Sequence, residues 1–239
     1  MLIDGTKRRV VVLAPMPLEM NAIVRAFGLA EQKDGAFSGT VGLSTVTAVH
    51  VGMGPEATRV AIWDMLGGEQ AVDHVMIAGI CGGLDPDLPV GTLINPEVII
   101  DHSSGAGYRH TPPGSAQTAG KLVTTEAPTL DVELSKRFFE EGCLGVDMES
   151  SAVGEVCEAA GCPWSVYRCI GDRYFDGFLD QRVLWATNPD GSGNPEALEK
   201  LLSSEPDLAR NLDRLARDTT VAARRAAESA VRGCLALDS

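Results

Sequence analysis

The sequence predicts an α/β fold: a single domain with a central mixed β-sheet flanked by helices. Three observations predict it. Apolar runs of strand length recur, among them Val10-Val11-Val12-Leu13 and Val75-Met76-Ile77-Ala78. Between such runs the apolar period changes to helical, as at Met20, Ile23, Val24 and Phe27. Residues 144–170 read strand, helix, strand over the length that a parallel βαβ unit needs. Ligands of such sheets bind at the carboxyl ends of strands, so acids just beyond strands are candidates for chemistry.

Taken in order, residues 9–14 form a buried strand, and Pro17 suits the first turn of a helix that Gly28 ends. Residues 39–43 and 45–51 read as a hairpin-like pair, followed by a glycine turn, Gly52-Met53-Gly54-Pro55, into a helix over 56–66. A strand over 74–78 leads into the glycine cluster Gly79-Ile80-Cys81-Gly82-Gly83, and a further strand is expected over 91–100. Residues 102–119 read as a surface loop, 121–125 as a strand and 130–141 as a helix. The apolar stripe Ala152, Val153, Val156, Cys157 and Ala160 marks a helix stopped by Gly161 and Pro163, before a strand over 164–170. Residues 173–195 are expected as a loop. A C-terminal helix over 206–232 carries Leu208, Leu212, Leu215, Ala222 and Ala226 on one stripe, with Gly233 ending it.

Bulk properties narrow the function. The net charge of −13 over 239 residues argues against nucleic acid or an anionic membrane as partner. Six cysteines without a Cys-x-x-Cys pair read as reduced core residues of a cytoplasmic protein. The four histidines are scattered, which argues against a structural zinc site. No run reaches transmembrane length, and the first residues lack a leader's apolar stretch.

The chemistry concentrates in Val146-Asp147-Met148-Glu149-Ser150-Ser151-Ala152, followed by Arg168-Cys169-Ile170-Gly171-Asp172. This two-part pattern resembles the signature of the nucleoside phosphorylase/nucleosidase family, which includes purine nucleoside phosphorylases and methylthioadenosine/S-adenosylhomocysteine nucleosidases. The resemblance implies that Met148 and Glu149 hold a ribose and that Asp172 serves a purine base. Without it, Glu149 is a helix N-terminal acid favoured by the dipole and Asp172 a turn residue. Met16-Pro17-Leu18-Glu19 matches the first Met and last Glu of a Met-Glu-Glu-Glu run that follows the first strand of the nucleosidases; the middle acids are replaced. That likeness implies Glu19 as the group that activates water.

Further matches implicate Met53 in the glycine turn and Gly79, Ile80, Cys81 and Gly82 in the glycine cluster as substrate contacts. Phe175, directly after Asp172, is expected to border the 5′ side of the pocket with the rest of 174–185, or to pack the last helix down. Departures from the pattern fall on the phosphate site: Ile77 stands where phosphorylases carry an arginine, and Ile80 where the family carries a hydroxyl. The expected reaction is therefore hydrolysis of the N-glycosidic bond of a purine nucleoside, adenine being the expected base, with no metal or organic cofactor. The tail, Pro206-Asp207-Leu208-Ala209-Arg210-Asn211-Leu212, together with the central motifs resembles hopanoid-associated members, which implies adenosylhopane or another 5′-substituted adenosine as substrate. A phosphate-dependent phosphorylase and a non-catalytic nucleoside-binding protein are the alternatives, and a homo-oligomer is expected.

Overall fold

The structure, a computed structural model, describes residues 7–239 except 34, 69–70, 115–116, 178–180, 189 and 205, and only the backbone at 183, 185, 206 and 207. One mixed sheet organises it. β1 (Arg8–Ala14) is followed by α1 (Pro17–Phe27), β2 (Ala30–Glu31), β3 (Phe37–Val41) and β4 (Ser44–His50). α2 (Pro55–Leu66) leads to the long β5 (His74–Gly83), then β6 (Leu93–Ile94), β7 (Val98–Asp101), β8 (Gly107–Tyr108) and β9 (Lys121–Thr124). α3 (Val132–Glu140), β10 (Cys143–Asp147), α4 (Ser150–Ala160) and β11 (Trp164–Arg173) complete the sheet. α5 (Gln181–Trp185), α6 (Pro195–Ser204) and α7 (Pro206–Ala236) close the chain.

β5 is the centre, parallel to β1 and β11 and antiparallel to β10. Alternation along its strands builds two cores. Val11, Leu13, Ile77, Val166 and Ile170 meet Ile62 of α2 and Val153 of α4 on one face. Val10, Val12 and Met76 meet Ile23 of α1 and Ala227 and Ala230 of α7 on the other. Helices cover both faces, as a largely parallel sheet requires. Pro17 at N1 and left-handed glycines at Gly28 (φ 64°) and Gly161 (φ 66°) bound α1 and α4 as expected. All six cysteines are free and buried. Among the described residues, no helix is long and apolar enough to cross a membrane.

The structure departs from the sequence expectations in five places. β5 and β11 run on to Gly83 and Arg173, paired on both sides of a register shift at Gly171, so the strand expected to end at Ala78 includes the glycine cluster. The strand expected over 91–100 breaks at Asn95-Pro96: β6 pairs with β11, β7 with β9. Pro96 has no N–H for a ladder. The loop at 102–119 contains β8, and His110 is buried with its Nε2 2.7 Å from the Pro96 carbonyl oxygen. The loop expected over 173–195 contains α5. Gly233 lies inside α7 and does not end it. A Cβ there would collide with the Tyr167 hydroxyl, so the glycine serves close helix–sheet approach.

α7 lies across β11 in a fixed order. Tyr167 meets Gly233, Cys169 clusters with Ala222 and Ala226, and Gly171 abuts Thr219. At 1.5 Å rise per residue the helix is roughly 46 Å long. Its N-terminal half therefore runs past the carboxyl end of β11 and overhangs the sheet edge.

Gly233→Ala is expected to lower stability by about 1–2 kcal/mol, overpacking outweighing the gain in helix propensity. Tyr167→Phe in the same chain removes the nearest obstructing atom and should recover part of the loss, since the ring carbon Cζ still lies 2.5 Å from the added Cβ. Denaturant unfolding of the two single variants and the double variant checks this.

Candidate active site

A cavity of about 610 Å³ opens at the carboxyl ends of β5, β10 and β11. Its floor is built on Arg168, which is 1 % exposed. A guanidinium in that position must be paired, and it is paired three times. Asp147 Oδ2 accepts from Nε at 2.9 Å and lies 2.8 Å from Nη2. Glu149 Oε2 accepts from Nη2 at 2.9 Å, and Glu19 Oε1 sits 3.5 Å from Nη1. Nη1 also donates to the Ile80 carbonyl at 3.2 Å.

Each acid is delivered by a strand end or helix start. Glu19 stands at N3 of α1, where Oε2 accepts from the Met16 N–H at 2.9 Å and Oε1 from the Ile80 N–H at 2.7 Å. Gly79 explains how it gets there: a Cβ at that position would collide with the Glu19 carboxylate and the Arg168 guanidinium. Glu149 is the N-cap residue of α4, and its Oε1 accepts from the Gly54 N–H at 2.9 Å, so the glycine turn serves this carboxylate. Asp147 ends β10 and is held by the Thr124 hydroxyl at 2.7 Å and by the Ser150 hydroxyl and N–H.

Asp172 is different in kind. A register shift between Ile170 and Asp172, where β11 pairs with β5, marks a bulge, the device that re-aims a side chain at a sheet edge. Its side chain lines the cavity and accepts no hydrogen bond among the described residues. Burial therefore raises its pKa to about 7, helped by the charge of Asp176. Burial also raises Glu19 to about 7, against the lowering effect of Arg168, and raises Glu149.

Residues 9–141, more than half of the chain, match the pattern of the phosphorylase superfamily. The chain belongs to that superfamily. As a member it is an enzyme that cleaves nucleosides. Its fold is similar to that of 5′-methylthioadenosine/S-adenosylhomocysteine nucleosidase from Helicobacter pylori: TM-score 0.69, 17 % identity, 97 % of this chain and 99 % of that one covered. The nucleosidase of the same kind from Neisseria meningitidis gives 0.70 at 15 % identity, covering 95 % of this chain and 99 % of that one. Futalosine hydrolase of Helicobacter pylori gives 0.68 at 16 %, covering 98 % and 99 %. At these identities the likeness is one of fold. No curated protein matches the chain by sequence.

In this superfamily member, Glu19, Met53, Ile80, Cys81, Gly82, Met148, Glu149 and Asp172 all line the cavity. Gly79 and Phe175 do not. Gly79 sits beneath the Glu19–Arg168 pair. Phe175 is 42 % exposed, lies 4.6 Å from the Arg173 guanidinium and meets Tyr174 edge-on at 5.1 Å. Its position follows from the turn after β11, which hands the cavity to Tyr174 instead. Residue 178 of the same expectation lies outside the described residues.

Two residues of the charged floor, Arg168 and Asp147, were given no role by the sequence. Arg168 had a readable signal: an arginine inside the run Trp164-Ser165-Val166-Tyr167-Arg168-Cys169-Ile170 cannot be buried without acids around it. Leu184 of α5, within the segment 174–185 expected at the pocket, lines the cavity as well. The rest of that wall was missed: Leu198 and Leu202 of α6 and Leu212 and Leu215 of the overhanging half of α7 line the same cavity.

The raised Asp172 pKa makes a stability prediction. Its proton is bound more tightly folded than unfolded, so this group's contribution to stability falls as pH rises from about 3.8 to about 7. Asp172→Asn removes the buried charge. The variant should be more stable than the parent at pH above about 7, with the difference closing towards the unperturbed carboxyl pKa. Thermal melts across that range check it, and a difference independent of pH would contradict a raised pKa.

Proposed function

We propose that the protein hydrolyses the N-glycosidic bond of a purine nucleoside, with adenine as the base and a large apolar group on the 5′ carbon. One observation carries the choice of water over phosphate. Among the described residues Arg168 is the only cationic side chain lining the cavity, and three carboxylates already share it. A phosphate dianion beside Glu149 would meet uncompensated negative charge. The glycine cluster offers no replacement, since it lies in strand and the Ile80 N–H is committed to Glu19. Arg59, on α2, pairs with Glu155 at 2.7 Å and Glu56 at 3.4 Å and does not line the cavity.

Glu19 and Glu149 keep spare acceptor capacity towards the cavity. Each carboxylate offers about four lone-pair sites. Glu19 uses three on Met16, Ile80 and Arg168, and Glu149 uses two on Gly54 and Arg168. In this reading Glu149 binds the ribose hydroxyls, and its charge stabilises the cationic sugar as the bond from C1′ to N9 breaks. Met148 packs on the ribose. Asp172, whose pKa near 7 leaves a large share of it protonated at neutral pH, gives its proton to purine N7 as the bonding pair leaves with the base. Water adds to C1′ and loses a proton to Glu19, whose pKa near 7 suits a general base at neutral pH.

The leucine wall supports an apolar 5′ substituent, because a nucleoside alone would leave that surface wet. Adenosylhopane is the substrate this wall would suit. Val60 and Trp63, 62 % and 51 % exposed on α2, support a subunit contact in a homo-oligomer.

Incubation with 5′-substituted adenosines, with and without inorganic phosphate, tests the reading. Release of base and free sugar at a rate independent of phosphate is expected. A sugar 1-phosphate formed only when phosphate is present would make the protein a phosphorylase. Asp172→Asn should lower turnover by about 10²–10⁴-fold. A variant within a few-fold of the parent would remove Asp172 from proton transfer.

A further inference from the structure

We propose that Asp147 is a positioning residue that sets the proton affinity of Glu19 through Arg168. The inference rests on Glu19 as the base, yet it concerns the charge of that carboxyl and is measurable without substrate.

Hydrogen-bond capacity separates Asp147 from the other two acids. Its Oδ1 takes the Thr124 hydroxyl at 2.7 Å and is 3.4 Å from the Ser150 N–H. Its Oδ2 takes the Ser150 N–H at 3.2 Å, the Ser150 hydroxyl and two nitrogens of Arg168 at 2.9 and 2.8 Å. Those donors fill the roughly four lone-pair sites of a carboxylate, leaving none for a substrate. Asp147 can act only through what it holds.

What it holds is the guanidinium. The contacts of Arg168 are unequal: two short ones to Asp147, one of 2.9 Å to Glu149, and 3.5 Å to Glu19. The cation is drawn to Asp147 and Glu149, and Glu19 receives the remainder. That leaves Glu19 able to keep a proton near neutrality, where a fully paired carboxylate would lose it. The other groups around Glu19 do not supply a second cation. Glu149 repels it, Asp172 and the Cys81 thiol line the same cavity, and the His50 ring lies 3.1 Å from the Pro15 carbonyl oxygen beside the start of α1. Thr124 fixes Asp147 in turn, and its hydroxyl oxygen accepts from the Ser151 N–H at 3.0 Å.

Infrared difference spectra between the protein and its Glu19→Gln variant, followed across neutral pH, isolate the Glu19 carboxyl. The midpoint is expected at about 7. In the Asp147→Asn background, with Glu19→Gln again as reference, Arg168 loses its strongest partner and turns to Glu19. The midpoint should fall by about one to two units. Thr124→Val keeps every charge and frees only the orientation of Asp147. It should move the midpoint the same way by a smaller step, and it decides the matter alone if Asp147→Asn does not fold. A midpoint that stays at the parent value overturns the proposal, because a purely structural Asp147 would change melting temperature and leave the titration in place. The acid limb of the pH–rate profile should follow the infrared midpoint. A shifted midpoint in a protein that releases no base from any purine nucleoside would uphold the relay and sink the assignment of function instead.

Discussion

A guanidinium taken out of water is tolerated only if its donors are met by charge. Arg168 lies at the centre of the sheet edge with almost no exposure, and much of the site's local sequence follows from meeting that demand. Three acids come from three different elements, the start of α1, the end of β10 and the head of α4. Removing one member of such a buried cluster costs about 3–5 kcal/mol in known cases, because the rest is left unbalanced. The cluster therefore locks α1, β10, α4 and β11 into one register, and the same lock forms the cavity floor.

The small residues around it are consequences. Gly79 has no side chain because Glu19 and Arg168 occupy that volume. Gly54 offers its N–H to Glu149 from a backbone with φ 92°, a conformation that a residue with a Cβ adopts only at a cost. Thr124 and Ser150 spend their hydroxyls on Asp147. Residues that would pass for turn or strand punctuation are spacing and hydrogen-bonding parts of a charged floor.

How much of this was legible depends on range. Local rules found α1 from Pro17 and Gly28, α4 from Gly161, and the acids Glu149 and Asp172 from their places after strands. They failed at 79–83, where glycines weaken strand propensity but the pairing of β5 with β11 overrides it. The occupant of the space above Gly79 is Glu19, some sixty residues away in sequence, and nothing nearby announces it. The leucine wall failed for another reason. Leu212 and Leu215 fall on the helical stripe that packs a core, and periodicity cannot tell a core from a cavity. Only the length of α7 against β11 places its first turns beyond the sheet edge.

The placement of Asp172 completes the electrostatic scheme. Five carboxyls line the cavity, Asp213 of α7 among them, and one arginine serves three of the others. Sharing that cation would lower the pKa of Asp172, as Arg168 lowers that of Glu19. The bulge after Ile170 turns it away from Arg168 into apolar surroundings, where the missing hydrogen bonds and the nearby Asp176 favour its protonated form. Arg173, the one cation next to it in sequence, is spent on Asp176 through two bonds of 2.9 and 3.1 Å. Two carboxyls thus reach a pKa of about 7 by different routes, Glu19 by burial against the pull of Arg168 and Asp172 by burial and the charge of Asp176. One acid that pairs with no cation among the described residues therefore lines the same cavity of about 610 Å³ as three acids that share a buried arginine.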